Sequence, residues 1–230
     1  MTRLDKFLAG AGAGTRSEVK AMIKKGMVTV DGGAALNAGA RIPETAEVRL
    51  AGKKIAPPGA VYLLMNKPPG VISAVSDPSG RERTVTDILP EEYKNLGLFP
   101  AGRLDKDTVG LLILTNDGAF AHSLTSPRKK IIKTYYAVLS GPVTDSDIAA
   151  FAGGLTLGDG YVCAPAGLAG ADGAGALVEI TEGKYHQVKR MFQAVGKTVL
   201  FLKRIKIGEY ELPADLPEGE VRKINNAERL

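Results

Sequence analysis

Cysteine is almost missing from this sequence. Its one copy, Cys163, cannot close an intramolecular disulfide or join a cysteine cluster around zinc, which fits a reducing compartment and leaves it a passive thiol. Long apolar runs are also missing: no stretch approaches the roughly 20 residues a membrane-spanning helix needs, and no basic-then-apolar leader opens the chain. These features predict a cytosolic protein with no membrane partner. HExxH, P-loop and GxGxxG signatures do not occur, which removes the motif-based grounds for a catalytic zinc or a bound nucleotide.

What is present is an ordinary core and an uneven charge. At 230 residues and 44% hydrophobic content the chain can form one domain or two. Met1 to Ala56 carry ten Lys and Arg against five Asp and Glu, whereas the rest carries twenty against twenty, so the net +5 lies wholly in the first segment. A basic small module ahead of a neutral larger one suggests a polyanion anchor feeding a catalytic body.

The stretch around which the chain is organised is GRLDKDTVGLLILTNDG, Gly102 to Gly118. Leu111 to Leu114 form an unbroken apolar run, read as a buried strand over Gly110–Thr115 and closed by the turn signal Asn116-Asp117-Gly118. Asp105 sits in the loop just before it. Such a loop can hold a side chain rigidly while facing it to a cleft, which makes Asp105 the candidate nucleophile. Taken alone, Arg103, Asp105, Lys106 and Asp107 are equally a solvated, self-paired charged loop.

Towards the N-terminus, Leu4, Phe7, Leu8 and Ala11 have helical spacing. A second helix is marked by Thr15 or Ser17 as cap, Glu18 in a capping-box position, and the stripe Val19, Met22, Ile23, with Gly26 as its stop. Met27 to Gly32 reads as a strand entering a turn. Lys53 to Gly59, with Pro57 and Pro58, reads as a linker, so boundaries fall at 1–56 and 57–230. Val61 to Gly70 is a strand stopped by Pro-Pro-Gly, Val85–Leu89 a short helix, and Ala119–Leu124 a helix. Arg128, Lys129, Lys130 and Lys133 then precede a strand, Thr134–Leu139. Cations beside an aromatic pair suit a nucleic-acid groove, although the alternation of Tyr135 and Tyr136 is what any half-buried strand shows. A helix over Asp145–Phe151, a strand over Leu177–Thr181, a helix from about His186 with stripe Val188, Met191, Phe192, Val195, and strands over Val199–Ile207 and Tyr210–Leu212 complete the reading.

The central motif resembles that of the RNA pseudouridine synthases of the RsuA and large-subunit branch, in which the Asp of GRLD is the nucleophile. NKPPG, from Asn66 to Gly70, looks like the opening of the same domain, with Lys67 structural. By the KTY match, Tyr135 is the tyrosine that lies over the target uracil. EGKYHQVKRMF resembles the third motif, whose basic residue, here Lys189, pairs with the aspartate. A carboxylate in a partly dry cleft tends to take up a proton, and an adjacent cation opposes that. RLDKFLA followed by TRSEVKAMIKKGMVTVDG resembles the S4 type of RNA-binding module, covering roughly Met1 to Ile55.

The resemblance implies an α+β fold: a small helical and β RNA-binding domain, then a catalytic domain on a mixed, mainly antiparallel sheet flanked by helices. It also implies isomerisation of uridine to pseudouridine in ribosomal RNA with no cofactor and no metal. The bond from ribose to the ring nitrogen breaks, the base turns, and carbon five rejoins the sugar; attack goes either to the sugar or to ring carbon six. The nucleotide is flipped out of the stack, with Arg103 filling the gap. Arg3, Lys6, Arg16, Ser17, Lys20 and Lys24 become phosphate contacts of the module, although Asp31 stands where the family has Asn and weakens one contact. Arg128, Lys129, Lys133 and Arg190 are further RNA contacts, while His122 and His186 stay structural. YHQVKRM favours a small-subunit (16S) uridine, modified by a monomer in a partly assembled subunit; the alternatives are a large-subunit (23S) uridine and an RNA-binding module without chemistry.

Overall fold

The computed structural model describes residues 1–43, 45–56 and 59–224. Within the first 56 residues, a two-stranded pairing of β1 (Thr2–Arg3) with β4 (Arg41–Ile42) accompanies helices α1 (Leu4–Gly10) and α2 (Arg16–Lys24). Strands β2 (Val28–Val30), β3 (Gly33–Ala34), β5 (Val48–Leu50) and β6 (Lys53–Ile55) form a second small sheet in the order β3-β2-β5-β6. Thr15 caps α2 in a full capping box: its hydroxyl accepts from the Glu18 amide, and the Glu18 carboxylate accepts from the Thr15 amide. Leu4, Phe7, Leu8, Val19, Ile23, Val28, Ile42 and Val48 make a core of their own under these elements.

The larger sheet runs β11 (Gly167–Gly170), β12 (Gly175–Ile180), β10 (Lys133–Leu139), β13 (Val199–Ile207), β9 (Val109–Thr115), β7 (Tyr62–Lys67), β15 (Val221–Lys223), with β8 (Phe99–Pro100) on β9 and β14 (Tyr210–Glu211) on β13. Every pairing is antiparallel except β13 with β9. Helices α3 (Glu91–Lys94), α4 (Gly118–Thr125), α5 (Asp145–Gly153) and α6 (Gln187–Ala194) flank it. The apolar run of β9 is explained by burial on both faces. Leu112 and Leu114 join the larger core with Leu63, Met65, Tyr135, Phe151 and Phe192, while Leu111 and Ile113 join a second core with Tyr62, Ala121 and Ile207.

Asn116-Asp117-Gly118 follows the end of β9 as read, and the Asp117 carboxylate there accepts from the Ala119 and Phe120 amides and caps α4. Two sequence expectations change. Val85–Leu89 is a turn. Thr84 and Asp87 bond each other's backbone amides as a helix cap does, but Pro90 disfavours helical geometry at Leu89 and the turn never extends. Lys53–Ile55, read as linker, is β6 pairing with β5, while Pro57 and Pro58 lie outside the described residues. Among the described residues no helix is long and apolar enough to cross a membrane.

Candidate active site

The loop from Gly102 to Thr108 is held from beneath at successive backbone groups. Ser73 Oγ donates to the Leu104 carbonyl and accepts from the Leu104 amide, both at 3.0 Å. Gly70 donates its amide to the Lys106 carbonyl at 2.9 Å. Lys67, at the end of β7 and 0% exposed, donates from Nζ to the carbonyls of Thr108 (2.9 Å), Pro68 (3.0 Å) and Lys106 (3.2 Å). Burial pulls this ammonium down to about 8, against the opposing pull of Asp107 and Asp105. Asp105 therefore projects from a backbone whose neighbouring carbonyls are pinned.

The loop also depends on its neighbour strand. Gly110 has φ +97°, and a Cβ there would stand 2.3 Å from the Arg204 carbonyl oxygen, so only glycine lets β9 approach β13 in parallel. From β13 the Arg204 side chain, buried, donates Nε to the Leu111 carbonyl at 2.8 Å.

The opposite wall is the start of α6. Glu182 accepts from the Tyr161 hydroxyl (2.7 Å), the Ala164 amide (3.1 Å) and Gln187 Nε2 (2.8 Å), and Gln187 Oε1 accepts from the Lys184 amide. Donating to this carboxylate pushes the Tyr161 phenol up to about 12. The network holds His186 at φ 48°, ψ 34°, a left-handed conformation costing a non-glycine residue about 1 kcal/mol or more.

Asp105, Arg103, Thr108, Tyr135, His186 and Leu202 line one cleft between these walls. The Asp105 side chain is 27% exposed; Lys189 Nζ lies 3.5 Å from its Oδ2, and His186 Nε2 lies 3.6 Å from its Oδ1. Lys189 makes its shorter contact, 2.6 Å, with Asp107 Oδ1, and that hydrogen bond holds the Asp107 carboxyl below the usual range. Tyr135 points inward from β10, buried with Ala137 and Leu139 in the larger core, so the strand alternation resolves in its favour over Tyr136. Arg103 is exposed at the rim. Among the described residues no group of His, Cys, Asp or Glu is arranged to hold a metal ion.

The peripheral residues divide. Lys6, Arg16, Ser17, Lys20 and Lys24 are exposed on α1 and α2, as are Arg128 and Lys129 in the turn before β10. Arg3 instead clamps the buried Asp5 through two hydrogen bonds, Arg190 pairs with Asp159 at 2.5 Å, and Lys133, half-buried, donates to the Ile131 carbonyl. These three are engaged by the protein itself. His186, assigned to structure from the sequence, instead lines the cleft; its left-handed backbone has no signal in a lone His before a helix.

The known proteins that resemble this chain share the arrangement of its two halves. The model of the RNA pseudouridylate synthase family matches residues 61–154, and that of the S4 domain residues 2–48. A solved pseudouridylate synthase structure superposes with a TM-score of 0.71 at 35% identity, over 99% of this chain and 98% of that one. An uncharacterised RNA pseudouridine synthase of Bacillus subtilis is 44% identical, over 98% of this chain and 96% of the relative. The chain belongs to the RNA pseudouridine synthase family. Ribosomal small subunit pseudouridine synthase A of Vibrio cholerae is 40% identical, and its Escherichia coli counterpart 39%, each over 98% of this chain and 97% of the relative. The two-part α+β synthase fold expected from the sequence is borne out.

Proposed function

We propose that this synthase converts one uridine of small-subunit ribosomal RNA to pseudouridine, with Asp105 as nucleophile. The observation that carries the reading is a single cleft where the partly exposed Asp105 carboxylate meets Lys189 and His186 within 4 Å and shares its walls with the inward-facing Tyr135. The reaction rearranges bonds within one nucleotide. The bond from the ribose anomeric carbon to ring nitrogen one breaks, a bond from that carbon to ring carbon five forms, and the carbon-five proton leaves as nitrogen one gains one. Nothing enters or leaves overall. A carboxylate that bonds covalently and is later released, an aromatic ring over the uracil and a cation opposite the carboxylate suffice for that sequence. In this reading Tyr135 stacks on the uracil and takes the carbon-five proton, Lys189 holds Asp105, and Arg103 enters the stack that the flipped nucleotide vacates.

Residues 1–56 act as a separate RNA-holding domain and residues 57–230 as the catalytic one. The exposed Lys6, Arg16, Ser17, Lys20 and Lys24 contact phosphates, as do Arg128 and Lys129, exposed in the turn before β10. The small-subunit relatives support 16S RNA over 23S RNA. In this reading a monomer acts in the cytosol on a partly assembled subunit. Release of tritium from RNA labelled at carbon five tests the chemistry. Asp105→Asn should abolish it while RNA affinity stays within a few fold, and turnover near wild type would remove Asp105 from the role. Carbodiimide-stop mapping of both ribosomal RNAs, with and without the gene, tests the substrate: a site lost from large-subunit RNA would overturn the small-subunit assignment.

A further inference from the structure

The site described above leaves one conspicuous side chain unused. Tyr185 is 76% exposed, an aromatic ring standing in water beside the cleft rather than in either core. It is not loose. Its ring stacks on the His186 imidazole with centroids 3.8 Å apart and planes 18° from parallel. His186 is fixed by the Glu182–Gln187 network and, through Nε2, lies 3.6 Å from Asp105. The order from the cleft outward is therefore carboxylate, imidazole, phenol, solvent, with the outer face of the phenol open.

An exposed aromatic plate stacked on a fixed imidazole has less rotational freedom to lose when a flat partner arrives, so that partner meets a smaller entropic cost. The surroundings select the partner's chemistry. Lys184 and Arg103 are exposed on the same rim, which suits a planar group carried on a phosphate chain. Stacking is indifferent to the edge of the base and needs only a π face.

We propose that Tyr185, backed by His186, is a base-stacking subsite that takes the nucleobase flanking the target uridine once that uridine has left the helix for the Asp105 cleft. This rests on the reading of the cleft as a uridine site. Flipping removes a stacking neighbour from both flanking bases; Arg103 enters the gap against one of them, and the open face of Tyr185 takes the other. The subsite would keep the opened RNA from closing.

The test uses the full chain and the RNA hairpin carrying whichever uridine the mapping identifies, made with 2-aminopurine on the 5′ or the 3′ side of that uridine. Wild type should quench one of the two probes by stacking. Tyr185→Ala should abolish the quench and weaken hairpin affinity about 5- to 150-fold, the range one base on an aromatic face carries. Tyr185→Phe, which keeps the ring, should restore both to within about 2-fold. Thermal melting of all three should agree, because the ring is exposed. Absence of quenching at both positions, or loss of affinity in Tyr185→Phe equal to that in Tyr185→Ala, would overturn the subsite. Unchanged hairpin affinity with activity lost only on ribonucleoprotein would also overturn it, by assigning the ring to a protein partner. Failure of the parent reading looks different: Asp105→Asn would then still release tritium, whatever the probes report.

Discussion

Lys67 is the most deeply buried charged residue among the described residues, and it sits beneath the loop of the candidate nucleophile. One ammonium serves three carbonyls, two of them in the Asp105 loop, so Lys67→Met would take its hydrogen bonds from both, leave the Lys106 carbonyl only the Gly70 amide, and let the loop shift. Misplacing a reacting group by an ångström costs about 10²-fold, so we expect kcat to fall about that far with KM little changed, read from single-turnover tritium release. Stability gives a second readout with a definite sign. The folded value is about 8 against the ordinary 10.5, so between these the unfolded chain holds a proton that the folded one has released. Wild-type stability relative to Lys67→Met should therefore be flat below pH 8, rise between about 8 and 10.5, and be flat above. A difference from denaturant melts that does not move across this window would mean that the ammonium is not buried as described. At this scale sequence reading found Asp105, Tyr135 and Lys189 because long motifs surround them. It set Lys67 and His186 aside because burial and a left-handed backbone leave no mark in composition or spacing.

Among the elements, β9 organises the sheet, and its junction with β13 is the only parallel one in it. Antiparallel pairings also join distant residues, Met65 with Val221 among them, but this parallel one, some ninety positions apart, depends in addition on Gly110. Gly110→Ala meets the Arg204 carbonyl at 2.3 Å in a conformation that alanine resists, so β9 and β13 must separate or the backbone must rotate. We expect a loss of about 3 kcal/mol or more in denaturant melts, with activity falling alongside because the loop that carries Asp105 ends two residues before this one, at Thr108. Stability within about 0.5 kcal/mol of wild type would show that the junction tolerates a wider spacing. Periodicity alone identified most elements: the capping box of α2, the double-faced run of β9 and the stripe of α6 each leave a pattern set by burial. Where it failed, at Val85–Leu89, a short apolar run was read as a helix that Pro90 stops before it can extend. The β13–β9 pairing could not be read at all, since register between distant strands is set by packing rather than by either sequence.

At the scale of the whole molecule, the question is how a near-neutral catalytic domain with one small cleft finds a single uridine in a ribosomal RNA. Shape and phosphate contacts fix register on structured RNA without reading its sequence, which is the work left to the basic first segment. That segment has its own core, and it touches the larger domain at close range where Gly10 lies against Gly97; a Cβ on Gly97 would come within 3.4 Å of the Gly10 Cα. On α2, Arg16, Lys20 and Lys24 are exposed and form no ion pair among the described residues, so their charge is available to a polyanion. Arg3 does not belong with them, because Asp5 already occupies its guanidinium. The triple substitution Arg16→Gln, Lys20→Gln and Lys24→Gln should keep the fold, since none of the three side chains enters the core. Each lost phosphate contact lowers the slope of log affinity against log salt by about one, so the slope should flatten by about two to three while the rate of single-turnover isomerisation at saturating enzyme stays unchanged. Neutralising Arg3 alone should leave the slope where it is and lower stability instead. A triple variant with the wild-type slope would move the RNA to another face, and the exposed Arg128 and Lys129 before β10 would be the next to neutralise.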